Sequence, residues 1–256
     1  MSYTIAVAGK GGTGKTTLCG MMIDWLCKSG KRPVLAVDAD ANSNLNEVLG
    51  VEAGPSLGDI REEVARAESD PGSTLKGGMS KQDYMEFRFA SALSEEDDFD
   101  MLVMGRTQGK GCYCYVNGLL QTQLQKYVGS YRYIVVDNEA GMEHISRGLL
   151  PAVDVLLLVS DCSRRGVQAA GRIAELAREI GMKPKHMKLI VNRAPGGQLN
   201  DGVMEEIEKQ GLDLLGVIPQ DDNVFEFDSA GKPTATLPST APSRAALEAL
   251  LPQILD

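Results

Sequence analysis

Short apolar runs recur along the chain, at Ile5–Ala8, Val34–Val37, Met101–Met104, Ile134–Val136, Val155–Val159, Leu189–Val191 and Leu214–Ile218. Several are nearly continuous Val, Ile and Leu and do not alternate with polar residues, the pattern of strands covered on both faces. Helical spacing occupies the intervals at Thr16–Lys28, Val116–Tyr127, Gly166–Ile180 and Asp201–Lys209. Strand and helix in alternation predict an α/β fold: a doubly wound, mostly parallel sheet flanked by helices. The least regular stretch, at about 55–100, reads as an insertion of helix, loop and edge strand within a single domain spanning 1–256. Its acidic run, Glu95 to Asp98, reads as a solvated turn. The tail from Ser243 to Asp256 is helical in pattern, with Arg244 as its one basic residue and Pro252 near its end, and is expected to pack on the domain.

Composition narrows the function classes. With 43% hydrophobic residues in 256, the chain can bury a sizeable core. A formal charge of −9 argues against a general nucleic-acid or anionic-membrane binder, since both need a basic footprint. Met-Ser-Tyr-Thr runs directly into the first apolar run with no signal-like region, and no apolar run approaches the ~18 residues of a membrane span. A cytoplasmic location is expected, with no membrane and no nucleic acid among the partners. Five cysteines make an odd number, so reduced thiols are expected, some of them metal ligands, and not a disulfide framework.

The chemistry enters at Gly9-Lys10-Gly11-Gly12-Thr13-Gly14-Lys15-Thr16-Thr17, which fits the phosphate-loop pattern G-x-x-x-x-G-K-[ST] between an apolar strand and a helix. Gly11, Gly12, Thr13 and Gly14 present backbone N–H groups to phosphate oxygens, and the helix N-terminus adds partial positive charge. Lys15 is expected on the β- and γ-phosphates, the Thr16 hydroxyl on Mg²⁺, and Thr17 beside them. The chain therefore reads as a nucleoside triphosphatase.

Lys10, a second lysine at the start of the loop, resembles the signature lysine of the dimeric MinD/ArsA/nitrogenase iron-protein group of P-loop ATPases. In that group it reaches the partner subunit's nucleotide, and a cation supplied in trans stabilises charge on the transferred phosphoryl group. The resemblance implies catalytic roles for Lys10, Lys15 and Asp40. Asp40 and Asp38 belong to the segment Val37-Asp38-Ala39-Asp40; Asp40 would position the attacking water and Asp38 would support the Mg²⁺ shell. Asp137, ending Ile134-Val-Val-Asp137, reads as a Walker B carboxylate on Mg²⁺. Asn138-Glu139-Ala140-Gly141 resembles switch II, although many members carry Thr-Pro where this chain has Asn138-Glu139. Asn192 and the loop Pro219-Gln220-Asp221-Asp222 resemble the family's base-side elements, and the absence of N-K-x-D favours ATP over GTP.

The second informative segment is Gly111-Cys112-Tyr113-Cys114. Two C-x-C pairs converging on a two-fold axis would make a four-thiolate site, suited to Ni, Zn, Cu(I) or an Fe–S cluster. One pair is incomplete, so metal binding and dimerisation should be linked. Together, G-K-G-G-T-G-K-T-T, V-D-A-D, G-C-Y-C and V-V-D-N-E-A-G-M-E-H resemble the CooC family of carbon monoxide dehydrogenase maturation ATPases. That resemblance implies a homodimer closed by ATP or metal, Ni²⁺ on Cys112 and Cys114, Zn²⁺ or Fe–S as alternatives, and nickel insertion into carbon monoxide dehydrogenase or acetyl-CoA synthase. Two other readings stand beside it. An electron carrier of the nitrogenase iron-protein type would need a cysteine after switch II, and Gly141–Leu150 holds none. A MinD/ParA-like spatial regulator would need a basic amphipathic tail or a basic surface. Cys19, Cys27 and Cys162 read as core thiols; His144 reads as a structural histidine, and the role of Glu143 stays open.

Overall fold

The computed structural model describes residues 2–40, 44–69, 80–105, 122, 125–126, 128–138 and 152–255. Their framework is one sheet of eight strands: β1 (Tyr3–Gly9), β2 (Val34–Ala39), β3 (Leu93–Glu95), β4 (Asp100–Val103), β5 (Tyr133–Asn138), β6 (Val155–Asp161), β7 (His186–Ala194) and β8 (Leu214–Pro219). The spatial order is β3-β4-β2-β5-β1-β6-β7-β8, parallel throughout except for β3, which runs antiparallel to β4 at the edge. Strand order turns around at β1, with β5 on one side and β6 on the other. Such a switch point opens a crevice at the carboxyl ends of the strands, where open α/β sheets hold ligands.

Successive residues of each strand feed opposite layers, as the pleat requires. On one face Ile5, Val7, Val135 and Leu157 pack with Leu18, Met22, Ile23 and Leu26 of α1 (Lys15–Lys28). Leu45 and Leu49 of α2 (Leu45–Leu49) join the same cluster. On the other face Leu35, Val37, Ile134 and Val136 meet Ile60 of α3 (Leu57–Ser69) and Tyr84, Met85 and Phe89 of α4 (Lys81–Ala92). Further along that face Ala6, Ala8, Leu156 and Leu158 pack with Val167, Ala170 and Ile173 of α5 (Arg164–Glu179) and with Val203 and Ile207 of α6 (Asp201–Lys209). The insertion at about 55–100 thus supplies two helices and an edge strand. Its acidic run is the β3–β4 turn, where Glu96 N–H donates to the Phe99 carbonyl (3.1 Å) and Asp98 pairs with Arg32 (2.6 Å). Of the expected helix Val116–Tyr127, only Thr122, Gln125 and Lys126 are among the described residues, and they are helical.

Two further helices follow β8: α7 (Asp222–Ser229) and α8 (Pro242–Leu250). The tail packs on the domain, with Leu247, Leu251 and Ile254 buried in the α1 cluster. Among the described residues no helix is long and apolar enough to cross a membrane. Polar chemistry fixes α8 as firmly as its apolar face does. The fully buried Arg244 donates from Nε to Glu248 (2.6 Å), from Nη1 to the Ala235 carbonyl and from Nη2 to Asp24 of α1. Asp24 also pairs with Lys28 (2.8 Å). Removing one partner from a buried ion network leaves the others uncompensated, at a cost of about 3–5 kcal/mol. Arg244→Ala should therefore lower the urea midpoint by an amount corresponding to about 3 kcal/mol with an unchanged m value; a midpoint within experimental error of wild type would show that Asp24 and Glu248 are satisfied without it.

Candidate functional site

The loop between β1 and α1 lies at the switch point. Gly14 forms the N-cap of α1 in the left-handed region (φ 89°), and no side chain caps that end. The first-turn N–H groups are left for an anion, and the helix dipole points the same way. A Cβ at Gly14 would lie 2.5 Å from Asn192 Nδ2, so only glycine lets the loop approach β7 this closely. Inside the loop Thr13 Oγ1 donates to the Lys10 carbonyl (2.9 Å), and the buried Lys15 ammonium reaches the same carbonyl at 3.5 Å. The Lys10, Gly11 and Gly12 positions are exposed.

Beneath the loop two carboxylates sit side by side. Asp38 and Asp137 are register partners on the adjacent strands β2 and β5, and both are buried. Asp38 is held by its own chain: its Oδ1 accepts from Asp40 N–H (3.1 Å) and its Oδ2 from Leu45 N–H (3.0 Å). Neither oxygen of Asp137 has a hydrogen-bond partner of ordinary geometry, although the Thr16 hydroxyl is near enough to favour its charged form. Burial pushes the Asp38 carboxyl up to about 6 against the two N–H groups that favour its charge. Burial likewise raises Asp137 to about 6, with Asp38 adding to the rise and Thr16 and Lys15 opposing it. A buried, unpartnered carboxylate beside a second carboxylate and a threonine hydroxyl is an oxygen-rich set of the kind that hard divalent cations take. The residues fit Mg²⁺, with Thr16, Asp38 and Asp137 as the groups that would hold it or its waters. When bound, the ion would neutralise charge on the phosphates.

The far wall of the site comes from β7. Asn192 Nδ2 donates to the Thr13 carbonyl (2.9 Å), and its Oδ1 accepts from Arg193 N–H (2.9 Å). Arg193 adopts a left-handed backbone (φ 57°), and its Nη1 donates to the Gly12 carbonyl (3.0 Å). Asn192 and Arg193 thus grip two successive carbonyls of the loop. Behind them a cavity of about 560 Å³ is lined by Gly14, Thr17, Asn192, Arg193, Pro219 and Phe225, among others. A second cavity, of about 660 Å³ and running along α2, adjoins it at Thr17 and Asp228.

The loop residues, Asp38, Asp40, Asp137, Asn192 and Pro219 all lie at the carboxyl ends of the strands or in the segments that follow them. Cys112, Cys114, Glu139, Gly141, Glu143 and His144 lie outside the described residues. Among the described residues no group of three or more His, Cys, Asp or Glu side chains could hold a metal ion. Cys19 and Cys27 are buried in α1 and Cys162 is half-buried, all of them free thiols. Cys19 faces the carboxylates, and burial, with Asp137 beside it, pushes its thiol well above the ordinary value. Sequence reasoning missed Arg193 and Phe225, and it placed Asp221 in the base-side loop without a role of its own. Asp221 caps α7 by accepting from Asn223 N–H (3.0 Å), and it also accepts from Ser243 N–H (2.9 Å) and Oγ (2.7 Å), fastening the Pro219 loop to α8. A signal for Arg193 was its place directly after Asn192 at a strand end.

A family model described as the CobQ/CobB/MinD/ParA nucleotide binding domain matches residues 4–234. The chain belongs to that family. Membership makes it a P-loop ATPase of the MinD/ParA type, and its nucleotide is ATP. It is 40% identical over 237 residues to an uncharacterized ATP-binding protein of Methanocaldococcus jannaschii, covering 91% of each chain. It is 32% identical to the carbon monoxide dehydrogenase accessory protein CooC of Rhodospirillum rubrum, covering 89% of this chain and 87% of CooC. In fold it is similar to a chain of the MinC:MinD cell division protein complex of Aquifex aeolicus, with a TM-score of 0.70 at 21% identity over 98% and 95% of the two chains.

The carboxylate pair carries a pH-dependent cost. A carboxyl whose pKa is higher in the fold than in the unfolded chain opposes folding only when ionised. The cost of Asp137 is absent below pH ~4, grows between ~4 and about 6, and is complete above that. Asp137→Asn should therefore stabilise the protein at pH 8 in EDTA, on the order of 2 kcal/mol, or roughly 4–8 °C in Tm for a chain of this size. Scanning calorimetry should show that gain shrinking toward zero at pH 4; a variant less stable than wild type at pH 8 would mean that the carboxylate is well paired without a cation.

Proposed function

We propose that the chain is an ATP-dependent dimeric switch that binds Ni(II) through Cys112 and Cys114 and assists nickel insertion into carbon monoxide dehydrogenase or acetyl-CoA synthase. The observation that carries this reading is the presence of Lys10 and a C-x-C segment in one chain similar to CooC over 89% of its length. The exposure of Lys10 on the loop supports a role completed by a second subunit, in which its ammonium stabilises the partner's transferred phosphoryl group. Lys15 binds the β- and γ-phosphates; Thr16, Asp38 and Asp137 hold Mg²⁺; and Asp40 orients the attacking water. Asn192 reads the base. Its amide is fixed by the Thr13 carbonyl and the Arg193 N–H, which leaves one N–H and one oxygen lone pair. That lone pair can accept from the 6-amino group of adenine, the base that the resemblance favours.

Geometry supports a link between nucleotide and metal. Met104 N–H donates to the Asp38 carbonyl (2.8 Å) and the Met104 carbonyl accepts from Gly58 N–H (3.0 Å), so the chain that goes on to Cys112 departs from a point tied to the Mg²⁺ carboxylate strand. ATP closes the dimer, the two C-x-C pairs meet, and hydrolysis releases them, with the difference in free energy supplied by γ-phosphate contacts made only in the closed state. The MinD-like alternative is less well supported, because the tail that would have to engage a membrane is packed into the α1 cluster through Leu247, Leu251 and Ile254.

Equilibrium dialysis with Ni²⁺ and ATP should show one ion per dimer in wild type and none in the Cys112→Ser, Cys114→Ser double variant; undiminished binding by that variant would remove the metal assignment. Lys10→Ala should cut ATP turnover by about 10³-fold or more while ATP affinity is kept. Turnover at the wild-type rate would show that no trans lysine acts.

A further inference from the structure

Phe225 is the most exposed large apolar side chain among the described residues, at 73%. It stands in the first turn of α7, a helix whose neighbouring apolar residues Val224 and Phe227 pack against the α1 cluster. The helix therefore has its core face satisfied without Phe225, and packing gives no reason for a large aromatic one position further round. The ring borders the cavity of about 560 Å³ that also holds Asn192, Pro219 and the planar guanidinium of Arg193. Both walls that carry these planar groups are fastened. The Asp221 cap and its two hydrogen bonds from Ser243 hold the start of α7, and the bond to the Gly12 carbonyl holds Arg193.

An exposed aromatic on a fixed helix at the rim of a cavity with mixed polar and apolar walls gains most from a flat, π-bearing ligand. Every nucleobase offers such a face, and stacking on it is tolerant of base identity. We infer that Phe225 is the stacking surface for the adenine ring, and that affinity for the base comes from this ring while its identity is read by Asn192. The division of labour follows from the geometry. The Asn192 amide spends one N–H and one lone pair on holding Thr13 and Arg193, so little of it remains for binding energy. Val224, Asp222 and Asp228, which also line the cavity, contribute no flat apolar surface.

The inference rests on the base occupying this cavity, which 8-azido-ATP tests by itself: photolabelling should fall on the segment 214–232. Calorimetric titration of the full chain then tests the stack. Phe225→Ala should raise the Kd for ATP about 5- to 150-fold, while the Kd for inorganic triphosphate, which has no base, stays at the wild-type value. Phe225→Trp should restore ATP affinity. Label in 214–232 with an unchanged Kd for ATP in Phe225→Ala would overturn the stack and leave the base cavity standing. Label elsewhere would overturn both. Equal weakening of ATP and triphosphate would assign Phe225 to the integrity of α7 and overturn the inference as well.

Discussion

Two carboxylates that water cannot reach, set side by side on adjacent parallel strands, govern the rest of this molecule. Asp38 and Asp137 are brought together by the register of β2 and β5, and no cationic side chain forms an ion pair with either among the described residues. Lys15 lowers the cost at Asp137 without removing it, since burial still lifts the carboxyl to about 6. A cluster of this kind makes a poor structural element and a good receptor. In the proposed reading its unfavourable energy would be relieved by a divalent cation, which would share the phosphates that the loop above is shaped to hold.

The features legible in the sequence are those whose physics is local or periodic. Nearly continuous apolar runs located the buried strands because a strand covered on both faces has no polar side to show. The loop from Gly9 to Thr17 was legible because phosphate binding needs glycine and lysine at fixed spacing. The helix Asp201–Lys209 falls where its spacing put it. Asp137 was legible from its place at the end of a Val-rich run, but its unpartnered state was not, since that depends on what the neighbouring strand brings. Arg193 and Phe225 escaped notice for the same reason, and Asp221 was legible as a member of the base-side loop but not as a fastening group. Arg193 matters through the Gly12 carbonyl, 181 residues away in sequence, and Asp221 through Ser243 on a helix that sequence reading treated only as a tail. Nothing in the local sequence marks Phe225 as lying off the core face of α7, because the neighbouring Val224 and Phe227 are as apolar as it is.

The same fold carries more than one function, so the 21% identity to a MinD chain speaks to architecture and no further. What separates the readings is particular chemistry. A helix that has to lie on a membrane keeps its apolar face free, whereas α8 spends that face on the core and anchors itself through Arg244 to Asp24. The proposed metal role rests on the thiol pair Cys112 and Cys114, which follows β4 in sequence, where Met104 is bonded to the Asp38 strand.

The site is also built from two halves that the nucleotide has to bridge. The phosphate half belongs to β1, β2 and β5, with the carboxylates. The base half belongs to β7, β8, α7 and α8. In the protein alone they meet through the Thr13 and Gly12 carbonyls, gripped by Asn192 and Arg193, and through α1, which Arg244 ties to α8 by way of Asp24. In the proposed reading a triphosphate engages the first half and the base engages the second. ATP bound in that way would join them across the switch point of the sheet, and its binding free energy would be available to fix the relative position of α1 and the Pro219 loop. A change in nucleotide at the loop would then be felt at α8 as well as at Asp38, whose carbonyl accepts from Met104 N–H. Coupling by this route needs no moving wire between distant sites, because the shared element is the short stretch from Lys10 to Thr17 on which both halves close.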